Sequence, residues 1–104
     1  MTTQQTVDKS KWQSQAAKLK QTGFVRCEWL TATHNGADSF VISLMLSKED
    51  LSESVILSTD AEGSIDSVSD IYPAVEFHER EVAQMFGVKF IGSDDISPAF
   101  EIEL

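Results

Sequence analysis

A chain of 104 residues, 41% hydrophobic and 24% charged, has the size and composition of one small globular domain, residues 1–104, which excludes disorder throughout. Its formal net charge of -9, from 8 basic and 17 acidic residues, repels phosphate backbones and anionic lipid, so nucleic acid is excluded as a partner and a basic protein suits it better. The single cysteine, Cys27, can build neither an internal disulfide nor a cysteine metal cage and fits a reducing compartment.

The opening residues MTTQQTVDKSK are polar and no apolar signal core follows them. The expectation is that residues 1–7 are loose. A helix is expected over Lys9 to Gln21, where Trp12, Ala16 and Leu19 recur at helical spacing and Gly23 supplies a stop. Phe24 to Thr33 reads as a strand, with Val25, Cys27 and Trp29 on one side and Arg26 and Glu28 on the other. Asn35-Gly36 signals a two-residue hairpin turn. Phe40 to Leu46 returns as a strand with Phe40, Ile42, Leu44 and Leu46 on one face; it is too short to cross a bilayer, so no direct membrane insertion is expected.

Ser47 to Ser52 breaks the pattern, Val55 to Ser58 is a third strand, and Asp60 to Gly63 turns the chain. Ser67 to Ile71 reads as a capped short turn. Pro73 opens a second helix that runs to Phe86, and Gly87 ends it. Val88 to Ile91 is a brief strand. The tail FEIEL alternates Phe100, Ile102 and Leu104 against Glu101 and Glu103, as an edge strand that could pair two copies into a homodimer or as an amphipathic end that docks elsewhere. The sum is an α+β domain: a small antiparallel sheet of three to four strands with helices packed on one face.

The charged triplet Glu79-Arg80-Glu81 sits in an apolar setting, FHEREVAQMFGVKF. His78-Glu79 begins like the H-E-x-x-H zinc motif, but Val82 occupies the second histidine position and the other histidine, His34, is beside the hairpin. No metal site is expected. Glu79 and Glu81 lie about 200° apart around a helix and cannot share a proton. Cys27 has no base beside it and reads as a buried structural thiol. No nucleotide-binding glycine loop is present. Around the second helix, Ala74, Val75, Val82, Met85 and Phe86 form the expected core stripe. His78 falls near its centre, as a core-facing histidine with a hydrogen-bond partner. Glu79 and Glu81 fall on its opposite edges. Phe77, Arg80, Gln84 and Glu76 point outward. An aromatic beside an arginine on an outer face is a mixture enriched at protein interfaces, although single exposed aromatics also occur on solvated surfaces.

Asp70 to Asp95 resembles the signature region of the C subunit, or thirty-kilodalton subunit family, of respiratory complex I NADH dehydrogenase, also found in membrane-bound hydrogenases. Pro73, Ala74, Phe77, Glu79, Arg80, Glu81, Met85, Phe86, Gly87, Val88, Phe90 and Gly92 match the family pattern. The order of elements upstream fits as well, so the resemblance covers roughly residues 20 to 95. Three features depart from it. Gln84 stands where the family has aspartate, Ser93-Asp94-Asp95 replaces His-Pro-Asp after Gly92, and Ile96 to Phe100 replaces a run of arginines. These departures imply an altered partner contact and a diverged, shortened branch.

The resemblance implies a non-catalytic accessory subunit that binds no cofactor. It docks on the large subunit of an NADH:quinone oxidoreductase or related hydrogenase, peripheral to the cytoplasmic face of the membrane. Phe77, Arg80 and Gln84 are then the partner-facing residues, and Pro73, Glu79, Glu81, Phe86, Gly87, Phe90 and Gly92 the structural signature. In this reading Glu79 and Glu81 fix the helix through ion pairs or by capping neighbouring loops. Arg80 either reaches an acceptor on the partner or pairs internally with Asp94 or Asp95. Two other readings stay open: a free-standing interaction module derived from the fold, and a small enzyme using His78 with Glu79 or Glu81.

Overall fold

The computed structural model describes residues 2–36 and 39–92. Strands β1 (Thr2–Thr6), β2 (Arg26–His34), β3 (Phe40–Ser47) and β4 (Ser54–Ala61) form one sheet in the order β1-β4-β3-β2. β2, β3 and β4 are an antiparallel meander, and β1 joins β4 in parallel. Helix α1 (Trp12–Gln21) follows a 3-10 turn at Lys9–Lys11, and helix α2 (Val75–Phe86) comes late in the chain. Two short strands, β5 (Ser64–Asp66) and β6 (Lys89–Ile91), pair in parallel as a separate ribbon. The class is α+β. The sheet is mixed rather than wholly antiparallel.

Period-two alternation makes one face of the sheet apolar. Phe40, Ile42, Leu44 and Leu46 of β3 are buried, and so are Val55, Leu57, Thr59 and Ala61 of β4. They share one core with Trp12, Ala16 and Leu19 of α1 and with Val75 and Val82 of α2, so both helices cover the same face. α1 ends in a Schellman motif: Phe24 N–H donates to Leu19 O at 3.1 Å and Gly23 N–H to Lys20 O at 3.1 Å, with Gly23 at φ +107°.

Three expectations are corrected. Within the segment expected to be loose, residues 2–7 are ordered, because Thr2–Thr6 is the sheet's parallel edge strand. Its run of Thr and Gln has strand propensity but no apolar alternation, and its pairing partner lies some fifty residues away in sequence. The Thr59 hydroxyl then holds Val7 O at 2.7 Å and Val7 N–H bonds Ser58 O at 3.0 Å, which pins the end of this segment. Second, Cys27 and Trp29 do not share a face. Cys27 pairs with Leu46 and Trp29 with Met45, so Glu28 is the extra residue of a β-bulge. Beyond the bulge Leu30 and Ala32, not Trp29, take the core side. Third, Asn35-Gly36 is not a two-residue turn. His34 pairs with Phe40 and Asn35 N–H bonds Ser39 O at 2.9 Å, so the connection runs over residues 35–39.

Ser67 to Ile71 forms a single turn, in which the N–H groups of Ile71 and Tyr72 both bond Val68 O, at 3.0 and 2.8 Å. α2 begins at Val75, two residues after Pro73. Tyr72 O and Pro73 O accept the N–H groups of Val75 and Glu76, so the proline sits in the entry turn rather than in the helix. Gly87 ends α2 in the left-handed conformation, φ +75°, with its N–H on Ala83 O at 2.9 Å. The tail Phe100 to Leu104 lies outside the described residues.

Candidate functional site

α2 buries Val75, Glu79 and Val82 and half-buries Phe86, a 4-3-4 spacing that traces one helical stripe. Glu79 is therefore not on an edge of the stripe. It sits at its centre, 3% exposed. The two ends of the expected stripe are also corrected. Ala74 is exposed because it is the residue before the helix starts. Met85 is 76% exposed because Phe86 takes the core position, with its ring 5.6 Å from Phe40 and 5.4 Å from His34, both edge-on.

A buried carboxylate needs donors, and Glu79 has them. Its Oε1 accepts the Ser67 hydroxyl at 2.8 Å and its Oε2 accepts the Val68 N–H at 2.9 Å. Burial raises its pKa above the usual carboxylate value and Glu76 adds to the rise, while the two donors oppose it. The segment it grips is held from the other side too. Gln13 Nε2 donates to Ser67 O at 2.9 Å, Lys20 Nζ to Ile71 O at 2.6 Å, and the Tyr72 hydroxyl to Phe24 O at 2.6 Å. Residues 67–72 thus act as a strut between the two helices, and Glu79 is the point where α2 is clamped to it.

The outer face of α2 differs. Phe77 is 64% exposed, and Glu81, Gln84 and Met85 are exposed beside it along the helix. Arg80 is half-buried rather than fully outward: Nη2 lies 3.7 Å from Glu76 Oε1, one turn back. Asp94 and Asp95, the internal partners expected for Arg80 as an alternative, lie outside the described residues. His78 is not at the centre of the core stripe. It is half-buried at its edge, Nδ1 3.9 Å from Glu81 Oε1, with its ring against Phe77 at 6.1 Å. The structure thus keeps Phe77, Gln84 and Met85 together outside, and separates Glu79 from both His78 and Glu81. The Glu79 carboxylate is engaged with Ser67 and Val68, whereas His78 faces Glu81.

Of the other signature residues, Pro73 and Gly92 are exposed, while Phe90 packs against the core from β6. Among the described residues no group of three His, Cys, Asp or Glu side chains is placed to hold a metal, and no helix is long and apolar enough to cross a membrane. Burial, with Glu28 and Glu79 nearby, pushes the Cys27 thiol up to about 11, so it is not a nucleophile at neutral pH. Sequence reasoning missed the strut residues Ser67, Val68 and Tyr72 and the centrality of Glu79. The 75/79/82/86 spacing was the available signal, and the acidic side chain at its second position masked it.

A family model described as the respiratory-chain NADH dehydrogenase 30 kDa subunit matches residues 5–101. The chain belongs to this family. The C/D subunit of NADH-quinone oxidoreductase from Phocaeicola vulgatus is 32% identical to it over 75 residues, 68% of this chain. The match spans 14% of that relative's length. Two solved structures share the fold of this NADH dehydrogenase-family chain. The trypsin-resistant fragment of Nqo5 superposes with a TM-score of 0.76 at 17% identity, covering 86% of this chain and 78% of its own. A chain of the membrane-bound sulfane sulfur reductase, an archaeal respiratory membrane complex, superposes with a TM-score of 0.85 at 22% identity, covering 96% and 63%.

Proposed function

We propose that this member of the NADH dehydrogenase subunit family is a non-catalytic docking subunit of a membrane-associated respiratory oxidoreductase, seated on the large electron-transfer subunit through the outer face of α2. The carrying observation is the two-sidedness of that helix. Glu79 locks its inner face to the strut, while Phe77 and Met85 stand exposed outside with Gln84 between them and Arg80 alongside. Large apolar side chains on a rigidly held helix, bordered by polar groups, match the anatomy of an interface core and its rim. Family membership and the names of the relatives, a quinone oxidoreductase subunit and a respiratory membrane complex, point to the same kind of assembly. In this reading the chain holds no cofactor and reaches the cytoplasmic face of the membrane only through its partners.

The test is capture of the tagged chain from native membranes in mild detergent, with Phe77→Glu and Arg80→Ala alongside. The wild type is expected to recover a large redox subunit, identified by mass spectrometry. The two variants are expected to lose it while keeping the wild-type circular dichroism spectrum. Recovery of no redox subunit by the wild type overturns the reading and leaves a free-standing interaction module.

A further inference from the structure

Charge is distributed unevenly along this chain. The stretch from Lys9 to Arg26 carries Lys9, Lys11, Lys18, Lys20 and Arg26, five of the eight basic residues, and none of the seventeen acidic ones. That stretch is α1 with its flanks, so an acidic molecule carries one basic helix. Trp12, Ala16 and Leu19 bury the inner side of α1. Lys9, Lys11, Ser14, Lys18 and Gln21 are exposed on the rest of it.

Helix stability accounts for only part of this. Lys18 and Lys20 lie in the last turn of α1, where cations favour the helix dipole, and Lys20 is also occupied by Ile71 O and the Tyr72 ring. Lys9 and Lys11 lie at the other end, where cations oppose the dipole; Asp8 caps the 3-10 turn that leads into α1, but the first turn of α1 itself holds no acid. Among the described residues no carboxylate comes within ion-pair distance of Lys9, Lys11 or Lys18. The Asp8 carboxylate accepts the N–H and hydroxyl of Ser10, which lower its pKa most, and Lys11 and Lys9 add the smallest contributions to that lowering.

We infer that the exposed face of α1 is a second docking surface, and that its partner is an acidic protein surface with carboxylates spaced roughly 10 Å apart, the rise between Lys11 and Lys18 along a helix. A protein patch fits better than lipid or nucleic acid. Both of those present extended sheets or rods of negative charge, which the seventeen acidic residues of this chain would meet as well. A local acidic patch on a folded partner can face α1 alone, within the ~8 Å over which salt leaves charges in contact. The exposed positions Lys11, Ser14, Lys18 and Gln21 also lack the aromatic and leucine side chains that an interfacial membrane helix buries.

The surface is distinct from the α2 face, and it rests on the docking reading only in that both require a protein partner. Native membranes are treated with a zero-length carbodiimide, which joins lysine amines to carboxylates in contact, and the products are mapped by mass spectrometry. Lys11 and Lys18 are expected to be joined to Asp or Glu side chains of a different polypeptide. Lys11→Glu/Lys18→Glu is expected to lower recovery of that polypeptide about tenfold at low salt, while Lys11→Arg/Lys18→Arg restores it. The inference is overturned by three results: no cross-link from these lysines to another polypeptide, cross-links only to a second copy of this chain, or lysine-dependent sedimentation with phosphatidylglycerol vesicles. A cross-linked acidic partner, found while the wild-type chain recovers no redox subunit, would sustain this inference and refute the docking reading. Loss of capture by Phe77→Glu alone, with silent lysine variants and no cross-link, would do the reverse.

Discussion

Replacing Glu79 by alanine should loosen α2 from the strut that joins it to α1. The substitution removes the acceptors of two donors, Ser67 Oγ at 2.8 Å and Val68 N at 2.9 Å. Ser67 has an alternative, since its hydroxyl already lies 2.8 Å from Ser69 Oγ. Val68 N–H has none, and Val68 is fully buried. One orphaned buried amide together with the lost charge-assisted bond costs about 2–3 kcal/mol, or roughly 10 °C or more in Tm for a domain of this size. Glu79→Gln should stay within about 1 kcal/mol of wild type near neutral pH, because the amide oxygen still accepts from Val68 and its NH2 can donate to Ser67.

The pH dependence separates this account from simple packing. Burial raises the pKa of Glu79, so the folded state holds the proton more tightly than the unfolded state. The stability linked to that proton is fully present below the ordinary glutamate value of 4.5 and is lost as pH rises through the raised folded value. Wild type should therefore lose stability relative to Glu79→Gln as pH climbs out of the acid range. Urea unfolding followed by circular dichroism across that range measures both effects. An alanine variant within about 0.5 kcal/mol of wild type, less than a typical hydrogen bond contributes, would refute the clamp. A wild-type minus glutamine difference that does not move with pH would refute it too.

Tyr72→Phe removes the hydroxyl that donates to Phe24 O at 2.6 Å and should lower stability by about 1–2 kcal/mol in the same unfolding assay. Gly87→Ala should cost about 1 kcal/mol for conformation alone, since φ is +75° and an added Cβ meets nothing within 4 Å. Cys27, with its thiol pushed up to about 11, should react with a disulfide reagent far more slowly in the folded protein at pH 8 than in urea. The stability linked to that thiol proton should be fully present below pH 9 and lost as pH rises through about 11.

Local signals carried much of this protein. The alternation from Phe40 to Leu46 marks β3 and its core face, because a two-residue period needs no knowledge of the partner strand. Trp12, Ala16 and Leu19 mark α1, Gly23 and Gly87 mark where the helices stop, and the residues around Glu79-Arg80-Glu81 carry the family resemblance. Other features depended on contacts distant in sequence. β1 is polar, and its strand character comes from pairing with β4. The bulge at Glu28 turns Trp29 off the core face, a shift that alternation alone cannot register. Glu79 looks like a surface acid by type, yet it is buried, because the donors that make its burial tolerable come from Ser67 and Val68 on a separate segment. Periodicity is a property of the chain by itself, whereas satisfying a buried polar group takes two segments, and only the tertiary structure brings them together.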